Sequence, residues 1–170
     1  TNVSISDSID GGDGTDTVTA TIDAGTANQK IGTISNVEVL DLSFTQTAGS
    51  YDLANFTGGR VEVQNGSGVT NDVTINNITS ATSLRIEDGA ANYDDLVLDY
   101  TADQTANITF GDTATVAFDD FTLTDAQTVS ITSRGGTDTT IDEIALDDVD
   151  TDFLTISTSV AASGINTGLI

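Results

Sequence analysis

The residues best suited to chemistry form a glycine- and aspartate-rich segment near the start of the chain. Residues 11–19 read Gly-Gly-Asp-Gly-Thr-Asp-Thr-Val-Thr. Glycines permit the tight turns that bring carbonyl oxygens toward an ion, and Asp16 adds a carboxylate. Because Ca²⁺ takes six to eight oxygen ligands, one such turn supplies about half of a coordination shell. The segment therefore predicts a calcium site completed by a neighbouring loop, and the simpler alternative is a Gly-Asp turn before a strand.

The composition favours cations as partners. The 170 residues carry 27 acidic and only 4 basic side chains, for a formal net charge of −23. Such a chain lacks the basic surface that binds nucleic acid or an anionic membrane, so we expect neither nucleic-acid binding nor membrane insertion. Most of the acid is Asp, which favours turns and metal ligation. Self-repulsion opposes a compact state, so we expect folding to be helped by cations.

Short apolar alternations recur along the chain and predict half-buried strands. Val18, Ala20 and Ile22 open the pattern. Two interleaved series follow, and the spacing within each is nearly constant. The first series comprises Leu40/Leu42, Val61/Val63, Leu84/Ile86, Ile108/Phe110, Val129/Ile131 and Leu154/Ile156. The second comprises Val73/Ile75, Leu96/Leu98, Phe121/Leu123 and Ile144/Leu146.

A repeat of about 23 residues with two strands is typical of stacked coils. We therefore predict an all-β fold, a parallel β-solenoid of about six coils; the alternative is an antiparallel β-sandwich, which has short strands but no fixed recurrence. Residues 1–170 form one domain, with the calcium turn in residues 1–19 and the coils in residues 20–170. We expect this domain to be a segment of a longer chain. Acidic pairs at 94–95, 119–120 and 147–148 would then fall at strand edges in successive coils and repel each other.

Further metal ligands are predicted in loops that combine glycine with aspartate before a strand. In each case the alternative is that turns simply favour these residue types. Glu38, between two valines of a predicted strand, is expected to face water; pointing inward, it would need Arg60 or Arg85 as a partner. The complete predicted ligand set is Asp10, Gly11, Asp13, Gly14, Asp16, Asp72, Asp94, Asp95, Asp138, Asp148 and Asp150.

Two segments resemble a known family. Residues 11–19 match the calcium-binding nonapeptide Gly-Gly-x-Gly-x-Asp-x-apolar-x of RTX proteins. Residues 34–42, Ile-Ser-Asn-Val-Glu-Val-Leu-Asp-Leu, resemble the "gvEtlnl" segment of RTX-type surface-layer (S-layer) proteins and giant adhesins. The resemblance implies a right-handed solenoid, calcium-dependent folding, type I secretion and assembly into a coat on the bacterial cell surface. By motif match, Gly11, Gly12, Asp13, Gly14 and Asp16 would bind calcium, several through carbonyls. The chain departs from the family in lacking tandem nonapeptides.

We accordingly expect a structural module of an extracellular surface-layer protein. Its expected partners are Ca²⁺, neighbouring copies or flanking coils, and cell-surface polysaccharide. One alternative is the stalk or ligand-binding module of a large RTX adhesin. Another is a polysaccharide-acting enzyme, which the composition disfavours because the chain has no His, Cys or Trp. We therefore expect no catalytic activity.

Overall fold

The described part of the protein consists of β-strands and their connections. The computed structural model describes residues 7–22, 29, 32–45, 48–66, 71–79, 81–87, 93–111, 116–134, 139–147, 153–158 and 165–169. Within these ranges no helix is long and apolar enough to cross a membrane. The strands are β1 Ser8–Asp10, β2 Thr17–Ile22, β3 Thr33–Ser35, β4 Val39–Phe44, β5 Ala48–Asp52, β6 Arg60–Asn65, β7 Asn71–Ile78, β8 Ser83–Glu87, β9 Tyr93–Phe110, β10 Ala117–Ser133, β11 Thr139–Asp147, β12 Phe153–Thr158 and β13 Ile165–Leu169.

The strands stack in parallel on two faces of a coil. Face 1 consists of β2, β4, β6, β8, the second halves of β9 and β10, and β12. Face 2 consists of β5, β7, the first halves of β9 and β10, β11 and β13. A short third ladder pairs β1 with β3 and continues as a bridge from Ile34 to Phe56. Every described strand pair is parallel, which confirms the predicted β-solenoid and excludes the antiparallel sandwich.

The register follows the predicted repeat at most steps. Val61 pairs with Leu40 on one side and with Leu84 on the other, as the first series of apolar doublets predicts. On face 2, Phe121 lies between Leu96 and Ile144, as the second series predicts. The described strands form about five turns, close to the six predicted. Coil length varies slightly from one step to the next, from 21 residues between Val39 and its partner Arg60 to 23 residues between Arg60 and its partner Ser83.

One predicted step is wrong by two residues. The sequence pattern aligned Ile108 with Val129, but the structure pairs Ile108 with Ile131 and places Ala106 opposite Val129. The cause lies at the bend where β9 and β10 pass from face 2 to face 1, because the pairing is irregular between Thr124 and Thr128. Ala106 is fully buried there although it belongs to neither predicted series.

The core is a continuous column of apolar side chains between the two faces. Alternation along each strand turns every second residue inward, as in β4, where Leu40, Leu42 and Phe44 are buried. Toward the C-terminal half the column widens into an aromatic cluster around Phe118. The Phe118 ring lies with its centroid 5.1 Å from those of Tyr93 and Phe110 and 5.8 Å from that of Phe121.

Truncation of Phe118 should show how much this cluster contributes. We expect Phe118→Ala to lower the free energy of unfolding by about 3–5 kcal/mol, because it removes buried area and leaves a cavity among three rings. Phe153→Ala is the matched control, because Phe153 is 68% exposed and its truncation should change stability by less than about 0.5 kcal/mol. Urea unfolding followed by circular dichroism measures both values. Equal losses in the two variants would contradict the described core.

Candidate metal centre

The glycine-rich turn of residues 11–16 lies between β1 and β2, against the next coil. Gly12 and Gly14 have φ angles of 82° and 133°, which L side chains rarely adopt. The Gly11 amide donates to the carbonyl oxygen of Ser35 at 3.0 Å. A Cβ atom on Gly11 would overlap the carbonyl oxygen of Asn36. The turn therefore needs glycine both for its conformation and for its close approach to the neighbouring backbone.

Asp16 ends this turn with one carboxylate oxygen unpaired. Its carbonyl oxygen accepts hydrogen bonds from the amides of Glu38 and Val39 at 3.2 and 3.1 Å. Its amide donates to Oε2 of Glu38 at 2.8 Å. Asp16 Oδ2, in contrast, is buried and has no hydrogen-bond partner within the part of the chain that the structure describes. A buried anionic oxygen without a donor destabilises the fold, and a bound cation would offset that cost.

Glu38 is the neighbour of Asp16 that sequence reasoning did not assign to the site. It is exposed, as predicted. The ion-pair partner considered for it, Arg60, instead lies with Nε 2.9 Å from Oε1 of Glu62. The step between β2 and β4, in which Thr17 pairs with Val39, places Asp16 beside Glu38. The number of residues between paired positions of β2 and β4, applied to Asp16, leads to Glu38, so the sequence could have identified this pair.

Asp10 and Asp13, two further predicted ligands, have different environments. Oδ1 of Asp10 accepts hydrogen bonds from Nδ2 of Asn36 at 2.7 Å and from the Gly12 amide at 3.1 Å. These bonds, the one from Asn36 first, lower the pKa of Asp10. Asp13 is exposed in the turn. The structure thus brings Asp10, the turn glycines and Asp16 into one loop, with Asp10 already engaged in capping it.

A second group of predicted ligands forms an acidic stack on face 2. Asp95 pairs with Asp120, and Asp120 pairs with Glu143. Asp72 lies opposite Asp94 and Asp95 at an irregular step between β7 and β9. Burial raises the pKa of the Asp95 carboxyl, and repulsion from Asp72, Asp120, Asp94 and Asp119 raises it further. This stack is defined here as Asp72, Asp94, Asp95, Asp119, Asp120 and Glu143.

Two details of the stack concern its adjacent acids. Asp94 and Asp95 are both exposed, as are Asp119 and Asp120, although adjacent residues of a regular strand face opposite sides. Of the predicted pair at 147–148, the described member Asp147 does not continue the stack. Glu143 occupies that position, and Asp147 pairs with Thr124 near the other end of the strand. The predicted ligands Asp138, Asp148 and Asp150 lie outside the described residues.

Side chains alone do not assemble a metal site in the described ranges. These residues contain no group of three or more His, Cys, Asp or Glu side chains placed to hold a metal ion. Calcium at residues 11–16 would therefore depend mainly on carbonyl oxygens, with Asp16 as the anionic ligand, which is how the glycine pattern predicts such a turn to work. The donor set of this turn fits a hard cation.

Comparison with protein-family models, with curated proteins and with solved structures gave no match. The resemblance described above therefore rests on residues 11–19 and 34–42 themselves.

The close approach at Gly11 gives a direct test of the turn. We expect Gly11→Ala to lower the free energy of unfolding by about 1–3 kcal/mol, because the added methyl group must displace the Asn36 carbonyl. Gly59→Ala is the control, because a Cβ atom on Gly59 meets no atom within 4 Å. Thermal unfolding of both variants in excess chelator isolates this steric effect from metal binding. A Gly11→Ala variant as stable as Gly59→Ala would contradict the contact.

The acidic stack should make stability depend on pH. Because the pKa of Asp95 is raised above 3.8 in the folded protein, the folded state binds a proton more readily than the unfolded chain. The stability that this proton on Asp95 contributes is fully present below the unfolded pKa and is lost as the pH rises through the folded pKa. In chelator, we expect the contribution of Asp95 to the free energy of unfolding to increase as the pH falls from neutral toward 3.8, the ordinary pKa of this carboxyl.

Asp95→Asn should be more stable than the wild type at neutral pH and should show a shallower pH dependence. Asp147→Asn serves as the control, because it removes the same charge from face 2 away from the stack. Urea titrations at each pH give both slopes. If the two variants had the same slope, net charge rather than the stack would account for the effect.

Proposed function

We propose that this chain is a structural module of an extracellular bacterial surface-layer protein that folds and assembles with calcium. The observation that carries the proposal is the carboxylate of Asp16. One of its oxygens is buried without a partner among the described residues, in a glycine turn whose sequence matches the RTX nonapeptide. In this proposal Ca²⁺ binds Asp16 Oδ2 together with carbonyl oxygens of the same turn.

Electrostatics supports calcium as the cofactor. The chain carries a net charge of −23, and the acidic stack places like charges on neighbouring strands about 4.8 Å apart. Divalent cations reduce this repulsion both at a specific site and by accumulating near the acidic face. Cations that accumulate near the acidic face would be bound weakly, and we propose that their ligands are Asp72, Asp94 and Asp95.

The shape of the protein supports a structural role. Parallel stacking gives a regular rod with two faces, and its interior is filled by apolar side chains. On the exterior, the chain offers neither His nor Cys for general-base or thiol chemistry. We propose that calcium brings the faces of neighbouring copies together, because it neutralises carboxylates that otherwise keep them apart. Cell-surface polysaccharide is a further proposed partner.

Calcium should stabilise the protein through Asp16. We expect millimolar Ca²⁺ to raise the free energy of unfolding relative to chelator; a ligand at 100 times its dissociation constant adds about 2.7 kcal/mol. Asp16→Asn should lose most of that increase, and Asp147→Asn, which removes a carboxylate elsewhere, should retain it. Thermal unfolding with and without calcium gives the difference. If calcium increased the free energy of unfolding equally in the Asp16→Asn and wild-type proteins, calcium would not bind at residues 11–16.

The same samples test assembly. At high protein concentration with calcium, a surface-layer module should form two-dimensional sheets visible by negative-stain electron microscopy. Sheets should be absent in chelator and reduced in Asp16→Asn. Single rods in the presence of calcium would instead favour the adhesin stalk, which needs the same folded module but no lateral contacts.

A further inference from the structure

The solenoid repeats one corner arrangement at three places. In each, an Asp is paired with a residue of the next coil, and the residue after that partner has a left-handed backbone. The paired residues are Asp10 with Ser35, Asp52 with Asn76 and Asp99 with Thr124. The left-handed residues that follow are Asn36, Asn77 and Asp125, with φ angles of 50°, 58° and 56°. Each corner therefore sets a left-handed residue beside an Asp of the preceding coil.

In two of the corners an asparagine bonds the coils together. Nδ2 of Asn36 donates to Oδ1 of Asp10 at 2.7 Å, and Nδ2 of Asn77 donates to Oδ1 of Asp52 at 2.8 Å. In both, the same oxygen also accepts a backbone amide two residues further along, from Gly12 at 3.1 Å or Ala54 at 2.8 Å. We call this arrangement the corner clasp.

The third corner has an acid in the position of the donor. Asp125 occupies the place that Asn36 and Asn77 hold in the other two, beside the partly buried Asp99. Asn and Asp both tolerate the left-handed backbone, so the conformation is kept. An ionised carboxylate accepts hydrogen bonds but donates none, so this clasp lacks a donor when both acids are charged.

We propose that the clasp between Asp99 and Asp125 closes by binding one proton, which makes this step between β9 and β10 a pH-sensitive joint of the solenoid. The proton comes from solvent and resides on Asp99. The resulting hydroxyl group then donates to the carboxylate of Asp125, as the amide of Asn77 donates to Asp52. One negative charge is removed and one hydrogen bond between coils is formed.

The surroundings of Asp99 favour uptake of the proton. Burial, followed by the charge of Asp125, raises the pKa of Asp99, whereas the bond from Asn36 lowers the pKa of Asp10 at the corner that follows β1. The groups from β10 next to Asp99 are Thr124 and Asp125. From β7 the neighbours are the neutral Asn76 and Asn77, and the carboxylates of Asp52 and Asp147 lie one strand further away on either side.

Reciprocal exchange of the two clasps tests the proposal in the full 170-residue chain. Asp125→Asn supplies an amide donor, so it should raise the folding equilibrium constant at pH 7 by about three- to tenfold and reduce the gain seen on acidification. Asn77→Asp creates an acid pair at the Asp52 corner. This variant should lower the constant at pH 7 by a similar factor and recover as the pH falls. Either variant with an unchanged pH profile would overturn the proposal.

A second measurement follows the proton directly, in the wild-type protein and in Asp125→Asn. Carboxyl ¹³C chemical shifts in chelator should give Asp99 a pKa above its ordinary value, and in Asp125→Asn that pKa should fall below it. Repeating the titration in calcium shows whether a proton or a calcium ion lies between the two carboxylates. If calcium abolishes the raised pKa of Asp99, a bridging cation closes the clasp and the proposal is wrong. An ordinary pKa in chelator would also reject it.

Discussion

Stacking in register places each side chain one strand spacing, about 4.8 Å, from its counterpart in the next coil. For apolar positions this is favourable, because Leu40, Val61 and Leu84 cover one another from water. For ionised positions the same geometry brings like charges together, as for Asp95 and Asp120. The stability of this rod therefore depends on which residue type occupies each column.

Acidic side chains have different charged neighbours on the two faces. On face 1 two arginines lie among acidic side chains: Oε1 of Glu62 lies 2.9 Å from Nε of Arg60 and 3.6 Å from Nη1 of Arg85, and Arg85 Nε lies 3.1 Å from Oε1 of Glu87. On face 2 the acidic stack has no such counter-charges among its described neighbours. Arg60 and Arg85 thus offset acidic charge on face 1, whereas the described neighbours of the acidic stack on face 2 include no basic side chain.

The sequence predicted the fold well because alternation and repeat length are local and regular. It failed at the step from Ile108 to Ile131, where a bend within two long strands shifts the register by two residues. It identified Asp94, Asp95 and Asp16 as notable but missed Glu38 and Glu143, since their roles follow from the offset between coils rather than from any motif. The corner clasps could not be predicted from the sequence either, because the sequence around a left-handed Asn does not distinguish it from an ordinary turn residue.

The continuity of β9 and β10 has a mechanical consequence. These strands, of 18 and 17 residues, pass from face 2 to face 1 as unbroken backbone, whereas the earlier coils join separate short strands through connecting loops. In β9 and β10 the pairing between coils therefore continues through the corner, whereas in the earlier coils it is interrupted between the strands. Shear between neighbouring coils is thus resisted at these corners by backbone hydrogen bonds as well as by packing, so we expect the middle coils to be stiffer than those near β2 and β4.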